Sequence, residues 1–297
     1  MSSADIPGLN YTSHQYGDHA LQRVAVWQFD GNGDAQEAPA PASAYWIIFV
    51  HGGAWRDPRN TIDDFVPPVK HMVSLEDLPK SAIRGFASLD YRLSPHPLFP
   101  QDPASTPANE LHNARHPDHI RDVISALRFL DAEYAIGNNY VLIGHSAGGS
   151  LVHQVIMNSD ASCGWAPAVP LPAALISISG IHDLRGMVAR HGGVYEEFTT
   201  GVFGPDKHVW DAVSPAAFAG NFKDVWGDGP RLVILANSAE DTLIDMPELD
   251  VMEARLIRDG ITPIAIRDLH LEHDDIWREG TQVAALVAKA VAKLQQP

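Results

Sequence analysis

The stretch Val141-Leu142-Ile143-Gly144-His145-Ser146-Ala147-Gly148-Gly149 limits the fold more than any other part of the 297-residue chain. An apolar run breaks at Gly144, presents a single serine, and resumes in small residues that suit a helix. The G-x-S-x-G spacing has a steric reason: a serine held on a strained strand-to-helix turn leaves no room for side chains at the flanking positions. The motif therefore predicts a strand before Ser146, a helix after it, and a hydroxyl lifted off the end of a sheet. Small-residue surface turns match the same pattern by chance, so the surrounding sequence must decide.

That surrounding sequence alternates strands with helices. A polar, loop-like opening leads to an edge strand over residues 21–29, a turn at residues 30–34 and a loop over residues 38–43. The continuous apolar run at residues 45–50 reads as a central strand buried on both faces, and it stops at His51-Gly52-Gly53. A second buried strand is predicted over residues 83–89, followed by a proline-rich loop. Helical spacing of Ile120, Val123, Ile124, Leu127 and Leu130 marks a crossover helix into the strand at residues 140–143. An amphipathic helix to about Met157 and a strand over residues 173–179 follow. Residues 185–230 lack clean periodicity but are rich in aromatics, as a small cap inserted over a sheet would be. Strands over residues 231–236 and 261–269 and helices over 246–258 and 281–294 complete the chain. The expected fold is a single α/β domain, a mostly parallel central sheet flanked by helices, with ligands at the carboxyl ends of the strands.

Acyl transfer by a serine needs a base, an acid to hold that base, and backbone N–H groups where the oxyanion develops. Each has a candidate at a strand end. After the strand at residues 231–236, Asp241 is the preferred acid, with Glu240 and Asp245 as competitors and a helix-capping or solvated role as the alternative. After the last strand, His270 and His273 both qualify as base. His273 is preferred because His270 stands too close to the strand end to reach over the sheet edge to the serine. With 15 histidines in the chain, position alone is a weak warrant. The double glycine at residues 52–53 leaves unpaired N–H groups at the sheet edge, so Gly52 and Gly53, with the Ala147 N–H, form the expected oxyanion site. Trp55 is a candidate for stacking on an aromatic substrate at the mouth of the site, or else a core residue.

Composition narrows the partners. With 21 basic against 37 acidic residues the net charge is −16, and no Lys/Arg cluster is visible, which argues against nucleic acid or an anionic membrane. Cys163 is the only cysteine, which precludes an intramolecular disulfide and fits a reducing compartment. The first ten residues lack a signal-peptide pattern and no apolar run reaches spanning length, so a cytoplasmic protein is expected. Neither metal-ligand spacing such as H-E-x-x-H nor a phosphate loop is visible, so no metal and no cofactor is expected, and the partner is a small-molecule substrate. A homodimer is left open.

Four motifs, His51-Gly52-Gly53-Ala54-Trp55, Asp90-Tyr91-Arg92-Leu93-Ser94-Pro95, Gly144-His145-Ser146-Ala147-Gly148-Gly149 and Ser179-Gly180-Ile181-His182-Asp183-Leu184, resemble the hormone-sensitive-lipase-like esterases of the α/β-hydrolase superfamily. Within that group the chain is most similar to the kynurenine formamidases (arylformamidases), through HGGAW in place of HGGG, the continuation over residues 56–65, and Tyr16-Gly17 and Val26-Trp27 near the start. The resemblance implies Ser146 as nucleophile, Asp241 as acid, His273 as base and the His51-Gly52-Gly53 stretch as oxyanion loop. It implies hydrolysis of N-formyl-L-kynurenine to L-kynurenine and formate in tryptophan degradation, and places His145 and His182 beside Trp55 among the substrate-contacting candidates. Two departures stand out: the glycine that often precedes the base is missing, and His182 replaces an aromatic residue. A general carboxylesterase on short-chain or aryl esters is the alternative within the class, and a non-catalytic hydrolase-fold binding protein the remote one.

Overall fold

Successive side chains along the central apolar runs point to opposite faces, and in the computed structural model, which describes residues 5–30, 44–76 and 78–296, both faces are covered. The eight strands are β1 (Leu9–Gln15), β2 (Arg23–Phe29), β3 (Tyr45–Val50), β4 (Ile83–Leu89), β5 (Tyr140–His145), β6 (Ala174–Ile178), β7 (Leu232–Ser238) and β8 (Ile264–Leu269). They form one sheet in the order β1-β2-β4-β3-β5-β6-β7-β8. All pairs from β4 onward are parallel, while β1 and β2 add on antiparallel. Trp46, Ile48, Val50 and Leu142 belong to one apolar core, and Ile47, Phe49, Val141 and Ile143 to the other. A sheet buried on both faces is why these strands read as unbroken apolar runs.

Helices α1 (Val66–Ser74) and α10 (Thr281–Leu294) close one face through Val69, Met72, Val283 and Val287. Helices α2 (Asp118–Tyr134), α3 (Ala147–Met157) and α8 (Met246–Arg258) close the other through Val123, Leu127, Leu151 and Met252. Between β6 and β7 run α4 (Leu184–His191), α5 (Gly193–Phe203), α6 (Lys207–Val213) and α7 (Phe222–Trp226), and their aromatics Phe198, Phe203, Trp210, Phe222 and Trp226 are buried in the second core. A short α9 (Asp275–Glu279) precedes α10.

Three sequence expectations change. The opening is not a loop: β1 forms the true sheet edge, and because it is largely exposed it carries no alternation that a sequence could reveal. In consequence β2 is an inner strand, with Val24, Ala25, Val26 and Trp27 all buried. Helix α3 turns neither face to solvent: every residue of it is buried, including the polar Ser150, His153 and Gln154, whose side chains bond to backbone carbonyls. The predicted turn and loop between residues 31 and 43 lie outside the described residues. Among the described residues, no helix is long and apolar enough to cross a membrane.

Candidate active site

Ser146 joins the end of β5 to the start of α3 with φ 55° and ψ −119°, a sparsely populated conformation for a non-glycine residue. Three backbone hydrogen bonds hold it there: its N–H donates to Ile178 O at 2.9 Å, and its carbonyl accepts from Gly149 N at 2.8 Å and Ile181 N at 3.2 Å. The helix can approach only because Gly148 lacks a side chain; a Cβ there would lie 2.2 Å from the Val50 carbonyl oxygen. This close approach sets α3 against the end of β3.

The loop leaving β3 passes directly over the serine. A Cβ on Gly52 would come within 2.9 Å of Ser146 Cβ. Among the described residues, the N–H groups of Gly52 and Gly53 meet no protein acceptor. Ala147 opens α3, so its N–H lacks a helical acceptor by construction. Three N–H donors, two on the loop that crosses Ser146 and one just after it in the chain, therefore have no protein acceptor among the described residues. The loop's carbonyls, by contrast, are fastened: the Tyr91 hydroxyl donates to Gly52 O at 2.9 Å and lies 3.2 Å from His51 O. His51 stacks on the Tyr91 ring at 4.4 Å, and its two nitrogens face Gly52 O at 3.0 Å and Asp90 Oδ1 at 3.4 Å. Burial pushes the His51 imidazole down in pKa, but the adjacent Asp90 carboxylate more than offsets this and the net direction is up. Arg23 and the Ile62 N–H complete the Asp90 shell at 2.6 and 2.7 Å.

His273 Nδ1 and Asp241 Oδ2 lie 2.8 Å apart, and both side chains are buried. Asp241 Oδ1 also accepts from the N–H groups of Leu243 and Ile244. Burial alone would raise the Asp241 carboxyl, yet His273 and these donors hold it below the ordinary range, so it stays an ionised acceptor. The rivals stand elsewhere. His270 is 76% exposed, with Glu240 as its neighbour at 3.7 Å. Asp245 is paired with Arg190 at 2.7 Å.

His145 connects the elbow to this pair. It is buried, its ring centroid is 4.5 Å from that of His273, and its Nε2 lies 3.1 Å from the His273 carbonyl oxygen. Burial pushes its pKa well down, so it is neutral and Nε2–H donates, which leaves Nδ1 without a partner. The structure thus packs His145 against His273. Of the two places open to Trp55, it takes the core one: it is 1% exposed and packs edge-on against Phe203 at 5.0 Å. His182 is likewise internal, between Ser177 Oγ and the Glu248 carbonyl oxygen, each at 2.9 Å. Sequence reasoning did not single out Asp90 and Tyr91 as supports of the glycine loop. Their signal was available, since they follow β4 at the same sheet end.

His145, His273 and Asp274 bring one potential metal donor each to within 4.8 Å of one another. His273 Nδ1 and His145 Nε2 have protein partners, while the buried His145 Nδ1 has none.

An elbow serine, a free-donor loop and a His–Asp pair at one end of a mostly parallel eight-stranded sheet define an α/β-hydrolase. Solved structures agree on the fold: esterase B from Lactobacillus rhamnosis superposes with a TM-score of 0.70 at 14% identity, covering 98% of this chain and 87% of that one. A hormone-sensitive lipase from a metagenome library gives 0.61 at 18% identity, covering 96% and 84%. No family model matches the chain. Among curated proteins, a kynurenine formamidase-like hydrolase from Fusarium equiseti is 33% identical over 265 residues, covering 84% of each chain. A kynurenine formamidase from Aspergillus versicolor is 32% identical over 256 residues, covering 79% of this chain and 84% of its own. One from Meyerozyma guilliermondii is 27% identical across 93% and 92%. The chain belongs to the kynurenine formamidase family of α/β-hydrolases.

Proposed function

We propose that the protein hydrolyses N-formyl-L-kynurenine to L-kynurenine and formate, a step of tryptophan degradation, through a Ser146–His273–Asp241 triad. The observation that carries the chemistry is the 2.8 Å His273–Asp241 pair, whose His273 packs against His145, the residue before the strained serine. The substrate rests on the formamidase relatives.

In this reading Ser146 Oγ attacks the formyl carbon as His273 Nε2 takes its proton, with Asp241 fixing the tautomer through Nδ1–H. Negative charge on the formyl oxygen is met by the N–H groups of Gly52, Gly53 and Ala147. The imidazolium then returns the proton to the aryl nitrogen as the C–N bond breaks, releasing L-kynurenine. Water, deprotonated by the same imidazole, attacks the formyl-serine; the C–O bond to Ser146 breaks and formate leaves. We take residues 185–230 as the cap over this end of the sheet.

The esterase-type fold also fits short-chain or aryl ester hydrolysis, since nothing in this machinery distinguishes an ester from an anilide. Steady-state kinetics on N-formyl-L-kynurenine and on an aryl acetate separate the two. The formamidase reading expects a kcat/KM for the formamide at least equal to that for the ester; a value lower by orders of magnitude makes the protein an esterase. Loss of both activities in Ser146→Ala, with folding intact, tests the nucleophile.

A further inference from the structure

The loops after β3 and β4, together with helix α5, line a cavity of about 490 Å³, in the range of small-molecule sites, at the same sheet end as Ser146. None of the proposed catalytic groups lines it. Its walls are mainly apolar, with Phe99, Phe198, Leu111 and Val202 among them, and the Arg56 guanidinium borders it. Arg56 is tied to the oxyanion loop, because its N–H donates to the Gly53 carbonyl at 2.9 Å. Its side chain is only 8% exposed, and the ring of Phe198 lies 5.6 Å from the guanidinium carbon.

A buried cation normally has its donors satisfied. Here, among the described residues, a single bond from Nη1 to Glu197 Oε2 at 2.7 Å is the only one the guanidinium makes to a protein acceptor. The remaining donors suit a carboxylate, which arginine can grip with two parallel bonds. Glu197 is 53% exposed and keeps Oε1 without a protein hydrogen bond among the described residues, which suits an ammonium group. A cation with spare donors, paired to an anion with a spare acceptor and set beside an apolar wall, matches a zwitterion carrying an aryl side chain.

We propose that this cavity binds the α-amino-acid end of the substrate, with Arg56 holding the carboxylate and Glu197 the ammonium. Arg56 and Glu197 are then the residues that select an amino-acid formanilide over a plain aryl ester or anilide. The assignment rests on the formamidase reading above.

The test compares N-formyl-L-kynurenine with N-formylaniline, which lacks the amino-acid end. In Arg56→Gln the ratio of the two kcat/KM values is expected to fall roughly tenfold to a hundredfold, mainly through KM of the zwitterion, with partial recovery in Arg56→Lys. N-formylaniline turnover reports whether each variant has folded. An unchanged ratio overturns the proposal. Calorimetric titration of Ser146→Ala with L-kynurenine and with its decarboxylated amine decides the matter independently, even where the arginine variants do not fold. Binding of the amino acid at least tenfold tighter than the amine supports the carboxylate site, and equal binding or none overturns it. If the native enzyme leaves N-formyl-L-kynurenine intact while L-kynurenine still binds in this selective way, the formamidase reading fails and the cavity assignment stands.

Discussion

The Tyr91 hydroxyl donates to the Gly52 carbonyl oxygen at 2.9 Å, which fastens the peptide unit that carries the Gly53 N–H, a donor with no protein acceptor among the described residues. In Tyr91→Phe the carbonyl retains only His51 Nδ1, at 3.0 Å. The loop should loosen without losing its ring packing. The expected result is a roughly tenfold lower kcat with little change in KM, and about 1 kcal/mol of lost stability in urea unfolding. A full loss of stability with kcat unchanged would make Tyr91 a packing residue only.

The contrast between the two strand-end histidines gives a second expectation. His273 meets a buried carboxylate, whereas His270 stands at the surface. His270→Ala should keep kcat within about twofold, and His273→Ala should lose about three orders of magnitude or more. Asp241→Asn should fall similarly, because an amide oxygen no longer fixes the Nδ1–H tautomer as a carboxylate does. Parallel kcat measurements on the three variants check the assignment, and an active His273→Ala would refute it.

The strands from β3 to β7 were legible in sequence because burial on both faces makes them continuous apolar runs. The same burial hid other features. Helix α3 carries polar Ser150, His153 and Gln154 on one face yet buries them, so its sequence alone did not reveal how deeply it lies, and β1 lacks a buried face altogether. At the candidate site, Ser146, Asp241 and His273 were legible as candidates because each follows a strand, and the structure pairs the last two. The Arg56–Glu197 pair joins residues 141 apart, and no local pattern encodes it. The choice between mouth and core for Trp55 was not legible for a related reason: its neighbours Phe198 and Phe203 come from a helix distant in sequence.

Two glycines of this chain should respond oppositely to alanine. A Cβ on Gly148 would sit 2.2 Å from the backbone oxygen of Val50, which no side-chain rotation can relieve. Gly148→Ala should cost about 3 kcal/mol or more and displace the elbow. Gly201 lies within α5 with nothing inside 4 Å of its added Cβ, so Gly201→Ala should stabilise by about 0.5–1 kcal/mol. Urea midpoints of the two variants test this, and equal shifts would contradict it.

Buried titratable groups set the pH dependence of stability, with opposing signs. Burial lowers His119 to about 3, His153 to about 4 and His182 well below its ordinary value. These imidazoles are neutral when folded but protonate near pH 6.5 when unfolded, so each contributes stability that is lost as pH falls below about 6.5. Glu248 runs the other way. Burial raises it to about 7 despite the N–H groups of His182 and Asp183 and the Arg190 guanidinium, so its contribution is present below its unfolded value near 4.5 and lost as pH rises through about 7. Asp64, raised to about 6 by burial, acts with Glu248. Between pH 6.5 and 4.5 these contributions partly cancel. Removing one side should expose the other: Glu248→Gln should steepen the loss of stability on acidification by about 1.4 kcal/mol per pH unit, and His153→Leu should flatten it by a similar amount. Urea unfolding of native protein and both variants at pH 7, 6 and 5 measures the slopes, and three parallel lines would show that neither group titrates as its burial requires.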